Sequence, residues 1–162
     1  MKKAVLHDLF VMEIQDLYDA EKQLMEALPM MEEAAGDQDL KAGFATHLEQ
    51  TKEQAARLEQ IAEELDFEVE GEGCEAMDGL VAEGEEMIEL EATSEVHDLG
   101  LISAARRVEN YEAAGYDVAM MLAKEMGHDK AADLLNQTKK EEEDTDKILK
   151  SAAEKIAKSI ED

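Results

Sequence analysis

Apolar residues recur along this chain at the 3.6-residue period of a helix. At 100° per residue the first stripe runs Leu6, Phe10, Leu17, Leu24 and Leu28. The second runs Phe44, Leu48, Ala55, Leu58, Ala62 and Leu65. The third holds Leu101, Ala105, Val108, Ala119, Leu122, Ala123 and Met126, and the fourth Leu134, Leu135, Leu149, Ala153 and Ile156. Each is the buried face of an amphipathic helix. Breakers set the ends: Gly36-Asp37, the stretch from Asp66 to Cys74 with Gly71 and Gly73, the stretch from Ala92 to Asp98 with Thr93 and Ser94, and Gly127-His128-Asp129. The pattern predicts long helices near 4–35, 38–66, 98–126 and 129–160, and a shorter one near 75–91. Pro29, inside the first, predicts a kink.

Connection lengths predict the topology. The first and last turns are tight, so each joins an antiparallel pair. The middle link takes about thirty residues, including the short helix, which is long for a bundle connection. Such a link can run the length of the bundle and return the third long helix parallel to the second. One long crossover between two hairpins is the ferritin-like arrangement, so the expected fold is an all-α, ferritin-like four-helix bundle with a short fifth helix in its crossover. The alternative is a plain up-down bundle with a decorated loop. A single domain spanning 1–162 fits the length.

Composition narrows the function. Forty-two acidic against 16 basic residues give a formal net charge of −26. That charge repels phosphates, so neither nucleic acid nor an anionic membrane surface is an expected partner. No apolar run approaches the roughly 20 residues of a membrane span, and Met1-Lys2-Lys3 is not followed by a signal-like apolar core. The expected location is the cytoplasm. A single Cys excludes an intrachain disulfide framework. High charge with few aromatics is also a signature of disorder, but 44% hydrophobic content rich in helix formers argues for a folded protein with an acidic skin. That skin serves solubility or, on the sharper reading, adaptation to high salt, where screening tolerates self-repulsion.

Some acids fall on the apolar stripes. Glu21 lies between Leu17 and Leu24, Glu112 four residues after Val108, and Glu142 midway between Leu135 and Leu149. Glu109 and Asp146 flank the same faces, and His47 stands beside Leu48 on the second helix. Glu21 and Glu112 each stand 15 residues before a hairpin turn, at Gly36 and Gly127, and Glu142 stands 15 after the second. At about 1.5 Å rise per residue all three sit roughly 22 Å from a hairpin end. The matching point on the second helix is Thr51, with His47 one turn away and Gln50 and Gln54 nearby. Buried carboxylates at one level repel one another unless paired or bound to metal. Carboxylate and imidazole donors suit iron or manganese, with zinc as a further option. The opposing reading leaves these acids in solvent at the stripe edges.

These residues also carry a resemblance. Asp16 through Leu24 with Ala27-Leu28-Pro29, Gly43 through Thr51 with Arg57-Leu58, Cys74 through Leu80, Val108 through Glu112 with Tyr116, and Leu134-Leu135 through Glu141-Glu142 to Asp146 together resemble the YciF-type ferritin-like family, in order and over nearly the whole chain. That family is stress-associated and related in architecture to rubrerythrins. The resemblance implies Glu21, His47, Glu109, Glu112, Glu142 and Asp146 as metal-site residues, with Gln50 where family members often carry Glu. Asn110 replaces a His common in the family. Di-iron bundles generally carry Glu-x-x-His on two helices, whereas here the second helix has His47-x-x-Gln50 and the last has Asp146 and no His. Gln50 offers a neutral oxygen and no charge.

Cys74 is expected to be a small apolar packer, and His7, His97 and His128 to be capping or solvated residues. Tyr18 and Tyr111 flank the proposed level. No P-loop and no Ser-His-Asp or Cys-His nucleophile arrangement emerges from the spacing. The expected function is a carboxylate-bridged dimetal protein, with two irons per chain, that oxidises Fe(II) with oxygen or peroxide or reduces peroxide. Glu112 and one of Glu21 or Glu142 would bridge, with His47, Glu109 and Asp146 terminal. The rival is a non-enzymatic, stress-associated structural or interaction protein with a weak or absent metal site; a third reading is cation sequestration by the acidic surface. A homodimer is the expected assembly, with an unidentified electron donor or partner protein.

Overall fold

The computed structural model describes residues 3–161. Met1, Lys2 and Asp162, included in the expected domain of 1–162 and in the reading of the N-terminus, lie outside the described residues. Five helices follow one another: α1 (Lys3–Ala34), α2 (Gln38–Glu64), α3 (Glu75–Ile88), α4 (Ser94–Glu125) and α5 (Asp129–Glu161). No strand occurs among the described residues, and none of their helices is long and apolar enough to cross a membrane.

The helix ends follow from local chemistry. Asp37 caps α2 by accepting from Leu40 N–H at 2.9 Å. Gly127 takes φ +79° after α4, and His128 N–H reaches Ala123 C=O at 2.9 Å while Gly127 N–H reaches Lys124 C=O at 3.0 Å. This pair of bonds is a Schellman stop, and it turns the chain straight into α5. α1 continues through Pro29 as one helix. The segment read as a loop from Ala92 to Asp98 is a correction: α4 begins at Ser94, after Thr93 as N-cap. Ser and Thr serve a first helical turn as readily as a loop. Asp98, only 2% exposed, therefore sits inside α4 and accepts from Gly36 and Asp37 N–H, both at 2.8 Å, pinning the α1–α2 turn.

The hairpins α1–α2 and α4–α5 pack together as the two halves of the bundle. Asp98 beside Gly36 and Leu17 beside Gly115 make α4 antiparallel to α1. Lys130 against Glu64 and Lys155 against Asp39, at 3.2 Å, make α5 antiparallel to α2. α2 and α4 are consequently parallel, so residues 65–93, with α3 at their centre, run the length of the bundle. This is the ferritin-like topology. Two apolar clusters fill the interior. One gathers around Leu28, Phe44, Leu101 and Leu149, and the other around Phe10, Ile14, Leu58 and Leu122. Between them lies a polar layer.

Candidate metal centre

That layer is built by one face from each long helix. Glu109 and Glu112 are three residues apart on α4 and therefore project together. His47 comes from α2, Glu142 from α5 and Glu21 from α1. Close approach of α1 to α4 supports the layer: a Cβ on Gly115 would stand 2.9 Å from Leu17 Cδ2, so glycine there lets the helices meet beside Glu112. Glu21, Glu112 and Glu142 are wholly buried; Glu109 is 2% and His47 4% exposed. One donor atom each from His47, Glu109, Glu112 and Glu142 lies within 4.8 Å of all the others. His47 Nε2 is 3.0 Å from Glu109 Oε1 and 3.9 Å from Glu142 Oε2.

Neighbours hold some of these groups in place. The Tyr116 hydroxyl, one turn along α4 from Glu112, donates to Glu21 Oε1. Gln54 Nε2 donates to Glu142 Oε1 and, at 3.1 Å, to Glu141 Oε2. Arg57 clasps Glu141 through two bonds of 2.7 and 2.9 Å and reaches Thr138 Oγ1 at 3.0 Å. A guanidinium fork thus fixes the carboxylate that orients Gln54.

The inward atoms are not satisfied. Glu21 Oε2, His47 Nε2, Glu109 Oε2, both oxygens of Glu112, and Glu142 Oε2 have no hydrogen-bond partner, nor do Thr51 Oγ1 and Gln54 Oε1; the Glu109 oxygen 3.0 Å from His47 Nε2 is near it but not aligned for a hydrogen bond. A buried polar atom left without a partner costs about 1–3 kcal/mol. Burial, and then repulsion among the carboxylates, pushes the acids of Glu21, Glu112 and Glu142 well above their usual range. Burial pushes Glu109 up to about 8. Carboxylate oxygens and an imidazole nitrogen gathered at one point, where a cation can take the place of the protons that burial favours, are the donor set of a hard-to-borderline divalent cation. The residues present fit such an ion.

The sequence-derived residues separate into two groups here. Glu21, His47, Glu109, Glu112 and Glu142 meet in the layer. Gln50 lies beside it, with Oε1 3.5 Å from His47 Nδ1. Asp146 is held at the edge by Arg106, whose Nε stands 2.7 Å from Oδ1 and whose second nitrogen stands 3.2 Å from Oδ2. That ion pair lowers the Asp146 acid below its usual range. Thr51 and Gln54 were legible at this level but had no assigned role; Gln54, four residues before Leu58, lies on the stripe of α2. The Arg57–Glu141 clasp joins two helices and leaves no mark in either helix's own period.

Around the layer, Tyr111 donates to Asp16 Oδ2 at 2.6 Å and lies 3.2 Å from Cys74 Sγ. Cys74 is buried and caps α3, its sulfur accepting from Met77 N–H at 3.3 Å. Tyr18 faces outward to Glu59 at 2.7 Å.

Comparison with known proteins places the chain in a family. The family described as "Domain of unknown function (DUF892)" matches residues 5–160. Protein YciF of Escherichia coli (strain K12) is 39% identical over 163 residues, covering 99% of this chain and 98% of that protein. The crystal structure of the E. coli stress protein YciF superposes with a TM-score of 0.91, covering 94% of this chain and 97% of that one. YcfI from Rhodopseudomonas palustris, for which a structural role has been suggested, superposes with a TM-score of 0.86 at 36% identity, covering 90% and 92%. Protein XCC3681 from Xanthomonas campestris pv. campestris str. ATCC 33913 shares the fold, with a TM-score of 0.77 at 17% identity. Full-length similarity, common architecture and the family match agree: the chain belongs to the DUF892 family, that of the stress protein YciF.

Proposed function

We propose that the polar layer is a carboxylate-bridged dimetal centre, loaded with iron and serving a stress-related redox role. Glu112 carries the reading. Both its oxygens are buried and unpartnered, and carboxylates from three helices converge on it. Glu21, Glu109, Glu112 and Glu142 carry four negative charges when ionised, which two divalent cations balance. His47, Glu109, Glu112 and Glu142 would hold one ion, and Glu21 with the shared carboxylates the other. Bound iron would supply electron transfer, either for Fe(II) oxidation by oxygen or peroxide or for peroxide reduction with electrons from a separate donor protein. The chain's own part is to orient Glu142 through Gln54, hold Glu21 through Tyr116, and flank the layer with the two apolar clusters. Manganese or zinc would suit the same donors.

Elemental analysis after anaerobic reconstitution with Fe(II) tests this. We expect about two irons per chain in the wild type and loss of most of that iron in Glu112→Ala. Wild-type protein that takes up no transition metal would sink the proposal. A second reading, a non-enzymatic structural or interaction protein, is favoured by one observation: Asp146 is already occupied by Arg106, and Gln50 supplies no charge, which thins the donor set at that end.

We also propose a homodimer. Leu9 and Met12 on α1 and Val118 and Met121 on α4 are exposed, and the antiparallel register puts them at one height. Exposed apolar side chains of this size are what a second copy would cover.

A further inference from the structure

A cavity of about 330 Å³ lies against the polar layer, in the half of the bundle nearer the α1–α2 turn. All five helices line it. Its walls are apolar, with Leu24, Leu28, Phe44, Val81, Val108 and Leu149 among them, and its inner end meets His47 and Glu109. Small residues keep it open. A Cβ added at Gly43 meets nothing within 4 Å, and one added at Gly84 meets only Ala104 Cβ, at 4.0 Å. Gly43, Thr46, Asp144 and Ile148 are exposed where it reaches the surface.

We propose that this cavity binds an uncharged aliphatic molecule, about the size of a medium-chain alcohol, with its inner end against His47 and Glu109. Size is the first argument. An apolar cavity of about 150 Å³ accepts benzene, so this one has room for roughly twice that many carbon atoms. Small-molecule pockets begin at about 300 Å³ and are mostly apolar with a few polar groups. Charge is the second. Among the described residues no Lys or Arg lines the cavity, whereas Glu85, Glu141 and Asp144 do, on a chain of net charge −26. An anionic head group would meet repulsion at every approach. An uncharged hydroxyl or carbonyl could hydrogen-bond to Thr46 or Gln50 without stripping a charge of water. As a binding site the cavity stands without metal; as the substrate site of the metal centre it rests on the function proposed above.

Binding is tested on the full chain in chelator with 1-naphthylamine, an uncharged two-ring probe that fits the cavity and whose emission shifts to shorter wavelength in apolar surroundings. The expected result is one site per chain, with n-decanol displacing the probe at a concentration at least tenfold lower than decanoate does. Gly43→Phe, which fills the mouth from an exposed position, should weaken probe binding at least tenfold with its helical circular dichroism retained. Ala105→Phe narrows the cavity from α4 and serves as the second variant. Glu112→Gln should leave probe binding intact, which separates this site from metal loading. Absence of probe uptake, uptake indifferent to both filling variants, or equal competition by decanoate would overturn the proposal. Probe held by a second copy or a surface patch would appear as that indifference.

Discussion

Replacing Glu109 by Gln should stabilise the metal-free protein at neutral pH. Burial pushes this acid up to about 8 from an ordinary 4.5. In the unfolded chain it ionises near the ordinary value. Between those two values the folded state therefore holds a proton here that the unfolded state has released. Stability is fully present below the unfolded value and is lost as pH rises toward 8, by about 1.4 kcal/mol per pH unit. At pH 7 the accumulated loss is about 3 kcal/mol. Gln has nearly the same shape and no proton to retain, and its amide can still meet His47. For a chain of this length 1 kcal/mol moves the melting temperature by about 2–4 °C, so Glu109→Gln should melt roughly 6–12 °C higher in chelator at pH 7. The assay is a series of thermal melts from pH 5 to pH 8, in chelator, for both proteins. The curves should converge at the acidic end and separate as pH rises. With metal bound the order should reverse, because Gln brings no charge to the ion. Parallel pH dependence in chelator, or a variant less stable at pH 7, would refute the reasoning.

The acidic skin predicts a salt response: the melting temperature should rise between dilute buffer and molar KCl as self-repulsion is screened, and a melt that stays level would count against salt adaptation. For the assembly, light scattering should return twice the 18.0 kDa chain mass, reduced to one chain mass by Met12→Lys with Met121→Lys, and a monomeric wild type would dismiss the dimer.

Much of this was legible in the sequence, for reasons that differ by residue. Glu21, Glu112 and Glu142 interrupt strong apolar stripes at equal distances from two tight turns, so periodicity alone put them inward at one level. Glu109 and Asp146 both stood at stripe edges. Their different surroundings come from neighbours on other helices, His47 beside one and Arg106 beside the other. A single helix's period carries no such information, nor does it disclose the Arg57–Glu141 clasp. The early start of α4 was hidden because Thr93 and Ser94 suit a loop and a first turn alike. The cavity was hidden as well, since it arises from small residues on different helices that only packing brings together.

Anomalous diffraction at the iron edge, from crystals of the Fe(II)-reconstituted protein, tests the central claim most directly. The account predicts two peaks inside the bundle, ringed by Glu21, His47, Glu109, Glu112 and Glu142. An empty layer, or iron bound only among the surface acids, would contradict it.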